Sequence, residues 1–401
     1  MGRLKEIPKQ VLQIFFIGFL LFSGCRSLLP HIQIKDNLSP KEKLTTIDLW
    51  LNDLSADRKL NGAILIATDG KVDLINTYGF SDFARTKSLT NQSSFRLASV
   101  SKQFTAMGIM ILNEQGKLRF DEPVQKYLNN FPYRDVTIRH LLTHTSGLPD
   151  YEDLVLKFKK KYYSTRYFFI TGQSRENITY KGDPSQYKDS HDILSMKDVL
   201  DLVIKYREKR KFLAGEKFNY SNTGYVLLAY IVEKVSGQTF ESFLDQEIFN
   251  PLSMNNSSVW NLYTKPAKLM DRVEGTNKNK LNDYTWMDGI AGDGAVFVSI
   301  EDFLKWDRSL ANRTLVSDST FTEAITPYIT TKGDTSYYGF GWGLSKKGNQ
   351  MAHAGGWVGA STFIYRNPDN GLLFVLLDSS TNKNSGKILT IIGDSVIWHD
   401  E

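Results

Sequence analysis

Two serines and a lysine crowd into four positions of "FRLASVSKQF" (residues 95–104), just ahead of an apolar helical pattern. A serine hydroxyl is a poor nucleophile at neutral pH and needs a base within hydrogen-bond reach. Residues three apart share a helix face, so Ser99 and Lys102 can meet. A serine at a helix start also has its own backbone N–H free, a donor for a developing oxyanion. To act as base the lysine must be partly neutral. Moving its pKa from about 10.4 to about 7 takes roughly 4–5 kcal/mol against the charged form, which burial and a neighbouring cation supply. Serines also cap helices routinely, and S-x-x-K recurs at Ser185–Lys188 and Ser380–Lys383. Of these, Ser99 alone opens a long apolar-faced helix, and its company decides the matter.

That company is two further segments. Tyr220-Ser221-Asn222 stands just before the helical run "TGYVLLAYIVEKVSG". A phenol there can carry a proton between Ser99 and a leaving group, and the Asn222 amide can hold a substrate carbonyl. "HAGGWVG" (353–359) precedes a strand pair and supplies His353, Gly355 and Gly356. Glycines on a strand let a substrate backbone approach closely, and the Gly356 N–H is a candidate second oxyanion donor. A turn histidine and a bulge would explain the same residues without chemistry.

The elements that must position these groups are legible as patterns. "GAILIATDGKVDLINTYGF" (62–80) reads as two strands joined by Asp69-Gly70, a strong hairpin signal. "STFIYRNPDNGLLFVLLDSS" (361–380) is a second strand pair, and "GKILTIIGDSVIW" a last apolar helix. Helical periodicity starts near Thr46 and recurs at 101–115, 197–208, 222–236 and 300–311. Strands at both ends with helices between predict an α+β fold. It would have one antiparallel β-sheet formed by the N- and C-terminal strands, flanked by helices, with an inserted mainly helical subdomain.

Here the sequence resembles the serine β-lactamases and penicillin-binding proteins, and among them the class C β-lactamase-like hydrolases, over about residues 46–395. The resemblance implies Ser99 as nucleophile, Lys102 as its proton partner, and Tyr220 and Asn222 as the second motif. "HAGG" takes the place of the third motif, on the strand edging the cleft. "HLLTHTSGLPDY" (140–151), "GDGAVFVSIEDFLKWDRSL" (292–310) and "YGFGWGL" (338–344) look like its connecting segments, in which His144 and Asp293 read as structural. One departure bears on substrate. Many β-lactamases and carboxypeptidases of this superfamily carry Lys-Thr-Gly or Lys-Ser-Gly at the third motif, whose cation helps bind a substrate carboxylate. His353 replaces that lysine, and an unperturbed histidine is largely neutral at pH 7. His-x-Gly versions look like the esterases, D-amino-acid amidases and penicillin-binding-protein-like hydrolases of the superfamily.

Composition bounds the rest. The 401 residues are 41% hydrophobic and 23% charged, which excludes wholesale disorder, and the net charge of +5 does not call for a nucleic-acid partner. Arg3, Lys5 and Lys9 precede an apolar run, Val11–Phe22, shorter than the ~20 residues of a membrane span, and then small residues. Residues 1–24 are thus expected to be an export signal. The single cysteine, Cys25, ends "LLFSGC", which resembles a bacterial lipobox and makes Cys25 the expected lipidation site, with Phe22 departing from the usual aliphatic residue. Residues 25–45 read as a tether and 46–401 as the hydrolase domain, with the Lys- and aromatic-rich segment 151–195 as an insertion or lid.

The expectation is a lipid-anchored hydrolase of the bacterial cell envelope that forms an acyl-enzyme on an ester or amide, with no metal or other cofactor. Lys102 and Tyr220 share the base and acid roles, Ser99 and Gly356 hold the oxyanion, and Asn222 and His353 orient the substrate. The substrate is a small molecule or a peptide, peptidoglycan-derived ones included. Two alternatives stand beside it: a β-lactamase or D-alanyl-D-alanine carboxypeptidase, and a non-catalytic lipoprotein that binds peptidoglycan peptides.

Overall fold

The two ends of the chain meet in one sheet. The computed structural model describes residues 29–397 apart from 31, 33, 36, 156–192, 267, 348–349 and 382–383. Residues 1–24, read as an export signal, Cys25 and most of the 151–195 segment therefore lie outside the described residues. From the N-terminal side come strands β1 (Gly62–Thr68), β2 (Lys71–Tyr78) and β3 (Ser94–Arg96). The middle supplies β4 (Ser258–Val259) and β5 (Val296–Ser299). The C-terminal side supplies β6 (Gly343–Leu344), β7 (Met351–Trp357), β8 (Ala360–Asn367) and β9 (Leu372–Asp378).

The main sheet runs in the order β6-β7-β8-β9-β1-β2, antiparallel throughout, as the sequence pattern predicts. Its β1–β2 hairpin turns through Asp69 and Gly70, both with positive φ, the conformation that selects Asp-Gly in two-residue hairpin loops. Alternation sorts β1 onto two cores. Ala63, Leu65 and Ala67 face the helical body of the molecule, whereas Ile64 and Ile66 face the outer helices. Strand β9 is buried on both faces, which explains its unbroken apolar run.

The outer layer is helix α1 (Pro40–Ala56) with the C-terminal helix, whose Ile388, Leu389 and Ile392 pack with Ile47, Trp50, Leu51 and Leu54. Helix α1 begins at Pro40, inside the stretch read as tether. Ser39 and Glu42 form a capping box with Pro40 at the first helical position, so local chemistry starts the helix before its apolar stripe does.

The inner layer holds α2 (Lys102–Glu114), α3 (Ile138–Leu142), α4 (Met196–Lys205), α5 (Asn222–Ser236) and α6 (Ile300–Asn312). Residues Lys102 to Leu112 of α2 are all buried, so this helix is the spine of the molecule. At roughly 1.5–3 kcal/mol per buried aliphatic or aromatic side chain, its Phe104, Ile109, Ile111 and Leu112 anchor the helix firmly against α5 and the sheet. A second, small sheet, β3-β5-β4, is absent from the sequence reading. Its strands are two to four residues long, too short for alternation to register. It nevertheless delivers the chain to Ser99.

Candidate active site

Strand β3 ends at Arg96, and the next residue is pinned from two sides. The Leu97 N–H donates to Val296 O at 2.9 Å, and Leu97 O accepts from Thr362 Oγ1 at 2.7 Å. Ala98 then adopts φ +48°, a left-handed conformation that costs a non-glycine residue on the order of 1–2 kcal/mol. A 3₁₀ turn, Ala98–Ser101, leads into α2 at Lys102. Ser99 therefore sits one turn ahead of the α-helix and is not its N-cap, which is Ser101. The Ser99 hydroxyl is not spent on capping; it accepts from Lys102 Nζ at 3.1 Å.

Lys102 is fully buried, and its ammonium has three acceptors: Ser99 Oγ, Asn222 Oδ1 at 2.9 Å and the Asp293 carbonyl at 2.9 Å. All three donors of Nζ are thus engaged. Its ammonium also lies 5.0 Å from the centre of the Tyr220 ring and 5.6 Å from that of Tyr225. From the sequence, a neighbouring cation is expected beside a lysine that acts as base. Carboxyl groups stand there instead. Burial pushes Asp293 up to about 6, against the pull of Lys102. Burial also pushes Glu152 up to about 7, aided by repulsion from Asp150 and Asp293 and opposed by Lys102 and Asn222. Asp150 is raised by burial as well.

These carboxyls fix the second motif. The Asn222 N–H, at the start of α5, donates to Asp150 Oδ2 at 2.9 Å, and Asn222 Nδ2 donates to Glu152 Oε1 at 2.9 Å. That leaves the amide oxygen facing Lys102. Between them Tyr151 donates to Asp293 Oδ2 at 3.0 Å. None of Asp150, Tyr151 or Glu152 stood out as a site residue in the sequence. Their only signal was the end of "HTSGLPDY", some 70 residues before the motif they support.

Tyr220 is placed by its neighbours. Its ring lies 4.2 Å from that of His144 and 6.3 Å from that of His353. His144 is buried, its Nδ1 accepts from the Ser221 N–H at 3.1 Å, and burial holds its pKa well below the usual histidine range. A neutral, buried imidazole stacked on Tyr220 is a support, as its place in "HTSG" suggests.

His353 corrects an expectation. It is only 5% exposed, and both ring nitrogens are engaged within the protein. A carbonyl can only accept, so Nδ1 carries the proton and donates to Ala354 O at 2.8 Å; Nε2 then accepts from Tyr338 at 2.9 Å. Burial, with Lys102 adding to it, pushes the His353 pKa down to about 3. The side chain is a neutral strut with neither nitrogen left to orient a substrate.

The third segment offers its backbone. A Cβ on Gly355 would lie 2.3 Å from both Leu97 O and Thr362 Oγ1, and 3.2 Å from Ser99 N, so β7 reaches the Ser99 turn only because this residue is glycine. Gly356 is exposed, with no atom within 4 Å of where its Cβ would be. Its N–H direction follows from register. Gln350 O accepts from Ser345 N on the β6 side, and peptide groups alternate sides along an antiparallel strand, so Gly356 presents its N–H to that same edge. Strand β6 pairs only with Met351 and Ala352, which among the described residues leaves the edge unpaired at Gly356. Strand β7 thus meets the Ser99 turn at Gly355 and turns the next N–H, that of Gly356, to its free edge. Among the described residues no three His, Cys, Asp or Glu side chains are grouped to hold a metal ion.

Comparison with known proteins agrees with this fold. The family profile described as Beta-lactamase matches residues 47–390. Penicillin-binding protein 4* of Bacillus subtilis (strain 168) is 33% identical over 347 residues, spanning 81% of this chain and 69% of that protein. The crystal structure of a penicillin binding protein from Bacillus halodurans superposes with a TM-score of 0.68 at 28% identity, covering 86% of this chain and 98% of that one. The D-amino acid amidase from Ochrobactrum anthropi SV3, complexed with L-phenylalanine amide, shares the fold: TM-score 0.65, 19% identity, coverage 88% and 98%.

Proposed function

The chain belongs to the β-lactamase family, as a penicillin-binding-protein-like serine hydrolase, and from that premise we propose that Ser99 forms an acyl-enzyme on an ester or amide carbonyl. The observation that carries the proposal is the buried Lys102 ammonium held against Ser99 Oγ by Asn222 and the Asp293 carbonyl. In this resting arrangement Lys102 donates to Ser99. That polarises the hydroxyl and stabilises the alkoxide once its proton leaves. Tyr220, whose ring lies beside that ammonium, relays the Ser99 proton to the leaving group, its hydroxyl accepting the serine proton as it donates its own. The N–H groups of Ser99 and Gly356 receive the charge that develops on the carbonyl oxygen. The same pair serves the reverse flow of protons, to the leaving group and from the attacking water.

The substrate follows from what His353 does not provide. A neutral side chain turned inward offers no cation for a free C-terminal carboxylate, which favours esters and amides over carboxypeptidase substrates. The names of the relatives keep penicillin recognition as the second reading. The charged run ahead of Val11, the lipobox-like ending at Cys25 and the kinship with penicillin-binding proteins support an exported, lipid-anchored enzyme of the bacterial envelope.

Intact-mass spectrometry after exposure to a fluorophosphonate and, separately, to penicillin tests the reading. Labelling by fluorophosphonate alone, absent in Ser99→Ala, is the expected result. Labelling by both would shift the assignment toward the β-lactamase or carboxypeptidase reading. No labelling by either would leave the peptidoglycan-peptide-binding reading.

A further inference from the structure

The two proposed oxyanion donors lie on different elements, one in the turn after β3 and one on the edge of β7, and their separation has to be set by something. Thr362 and the absent Cβ of Gly355 fix the inner side. The outer side is closed by one buried carboxylate, Asp288, which is 6% exposed. Its Oδ1 accepts from Arg96 Nη1 at 2.6 Å and from Trp357 Nε1 at 2.9 Å. Arg96 is three residues before Ser99, and Trp357 directly follows Gly356. A single oxygen thus joins the strand that leads into one donor to the strand that carries the other.

Each arm is itself braced. Arg96 is 5% exposed, donates from Nη2 to Asp283 O at 2.9 Å, and lies over the rings of Phe297 and Trp260. Asp283 in turn pairs with Arg272. The second oxygen of Asp288 accepts from the Thr285 N–H at 2.5 Å. Thr381 also holds the tip of the β7–β8 hairpin, through Trp357 O and the Gly359 N–H. Asp288 ties Trp357 to the strand that leads to Ser99.

We propose that Asp288 is a positioning residue of the hydrolysis, a clamp that holds the Ser99 and Gly356 N–H groups at the separation a tetrahedral oxyanion requires. The proposal rests on the oxyanion assignment above. A donor displaced by a fraction of an ångström weakens stabilisation of the developing charge while leaving ground-state binding largely intact. The clamp therefore acts on kcat and on the affinity of tetrahedral mimics, with little effect on KM.

The test uses the full chain and the variant Trp357→Phe, which removes one N–H and leaves the Arg96–Asp288 pair in place. Phenylboronic acid, which forms a tetrahedral adduct on a reactive serine, reports the geometry of the donors, and p-nitrophenyl acetate reports turnover. Expected are a loss of roughly tenfold in phenylboronic acid affinity and a matching loss in kcat, with KM, Tm and the fraction of protein labelled by fluorophosphonate all near parent values. Asp288→Asn should reduce affinity further, and the double variant should match it, because both substitutions break the same chain of contacts. A Trp357→Phe protein with parental kcat and boronate affinity overturns the clamp. So does one in which only the labelled fraction falls, which marks a role in folding alone. A parent protein that neither labels with fluorophosphonate nor binds the boronate overturns the hydrolase reading itself, and the clamp with it.

Discussion

Ser99 owes its promise to one neighbour and two backbone groups, and each makes a separable claim. Tyr220→Phe keeps the ring that stacks on His144 and faces Lys102 but removes the hydroxyl. Acylation by p-nitrophenyl acetate should fall by roughly 10²–10³, the usual contribution of a positioned acid–base group. The Tm should stay within about 2 °C of the parent. An unchanged acylation rate would remove Tyr220 from proton transfer and leave Lys102 alone. Lys102→Met should lose at least as much activity and also destabilise the protein. It strands Asn222 Oδ1 and the Asp293 carbonyl without a donor, and an unsatisfied buried polar group costs about 1–3 kcal/mol. The pairing of Ser99 with Lys102 was legible because three residues of helix bring them together whatever the rest of the chain does. The carboxyls of Asp150 and Glu152 were not, because their partner Asn222 lies far along the chain and no local period connects them.

At the scale of elements the site is a junction of three pieces: the turn after β3, the start of α5 and the edge of β7. Strand β7 can touch the turn only where it lacks a side chain. Gly355→Ala would bring a methyl within 2.3 Å of a carbonyl oxygen and of the Thr362 hydroxyl, and neither can retreat without breaking the Thr362–Leu97 bond. The expected outcome is a fall of 10² or more in fluorophosphonate labelling rate, with a Tm several degrees lower, as overpacking of a tight contact costs about 1–3 kcal/mol. Labelling at the parental rate would show that the contact is loose and Gly355 dispensable. The main hairpins and long helices stood out in the sequence through their turns and periods. The left-handed Ala98 did not, because alanine carries no signal for positive φ and the conformation is imposed by the ends of the turn. His353 was recognisable by its place among the glycines. Its inward pose depends on Tyr338, a hydroxyl on a different segment, and sequence spacing does not encode that contact.

Across the whole molecule, closing the sheet with both chain ends buries charges whose titration should be visible in stability. Asp378 ends β9, is 1% exposed, and accepts from the hydroxyls of Ser380 at 2.8 Å and Ser385 at 2.7 Å. Burial pushes its pKa up from 3.8 to about 6 despite those donors. The folded state thus prefers the protonated acid. The stabilisation this brings is complete below about pH 4 and is lost as the pH rises through about 6, a difference of about 3 kcal/mol for two pKa units. His353 works with the opposite sign. With its folded pKa pushed from 6.5 down to about 3, its contribution is complete above pH 6.5 and is lost as the pH falls toward 3. The two are separable because Asn at position 378 carries no charge at any pH. Asp378→Asn should be less stable than the parent at pH 4, where it replaces a neutral, hydrogen-bonded acid. The deficit should shrink or reverse by pH 8, where the parent holds a buried anion. Thermal unfolding followed by circular dichroism between pH 4 and 8 measures this as a Tm difference that climbs by several degrees. A difference flat across that range would mean that Asp378 ionises as freely in the fold as in the open chain, with its two hydroxyl donors fully offsetting the burial that closing the sheet imposes.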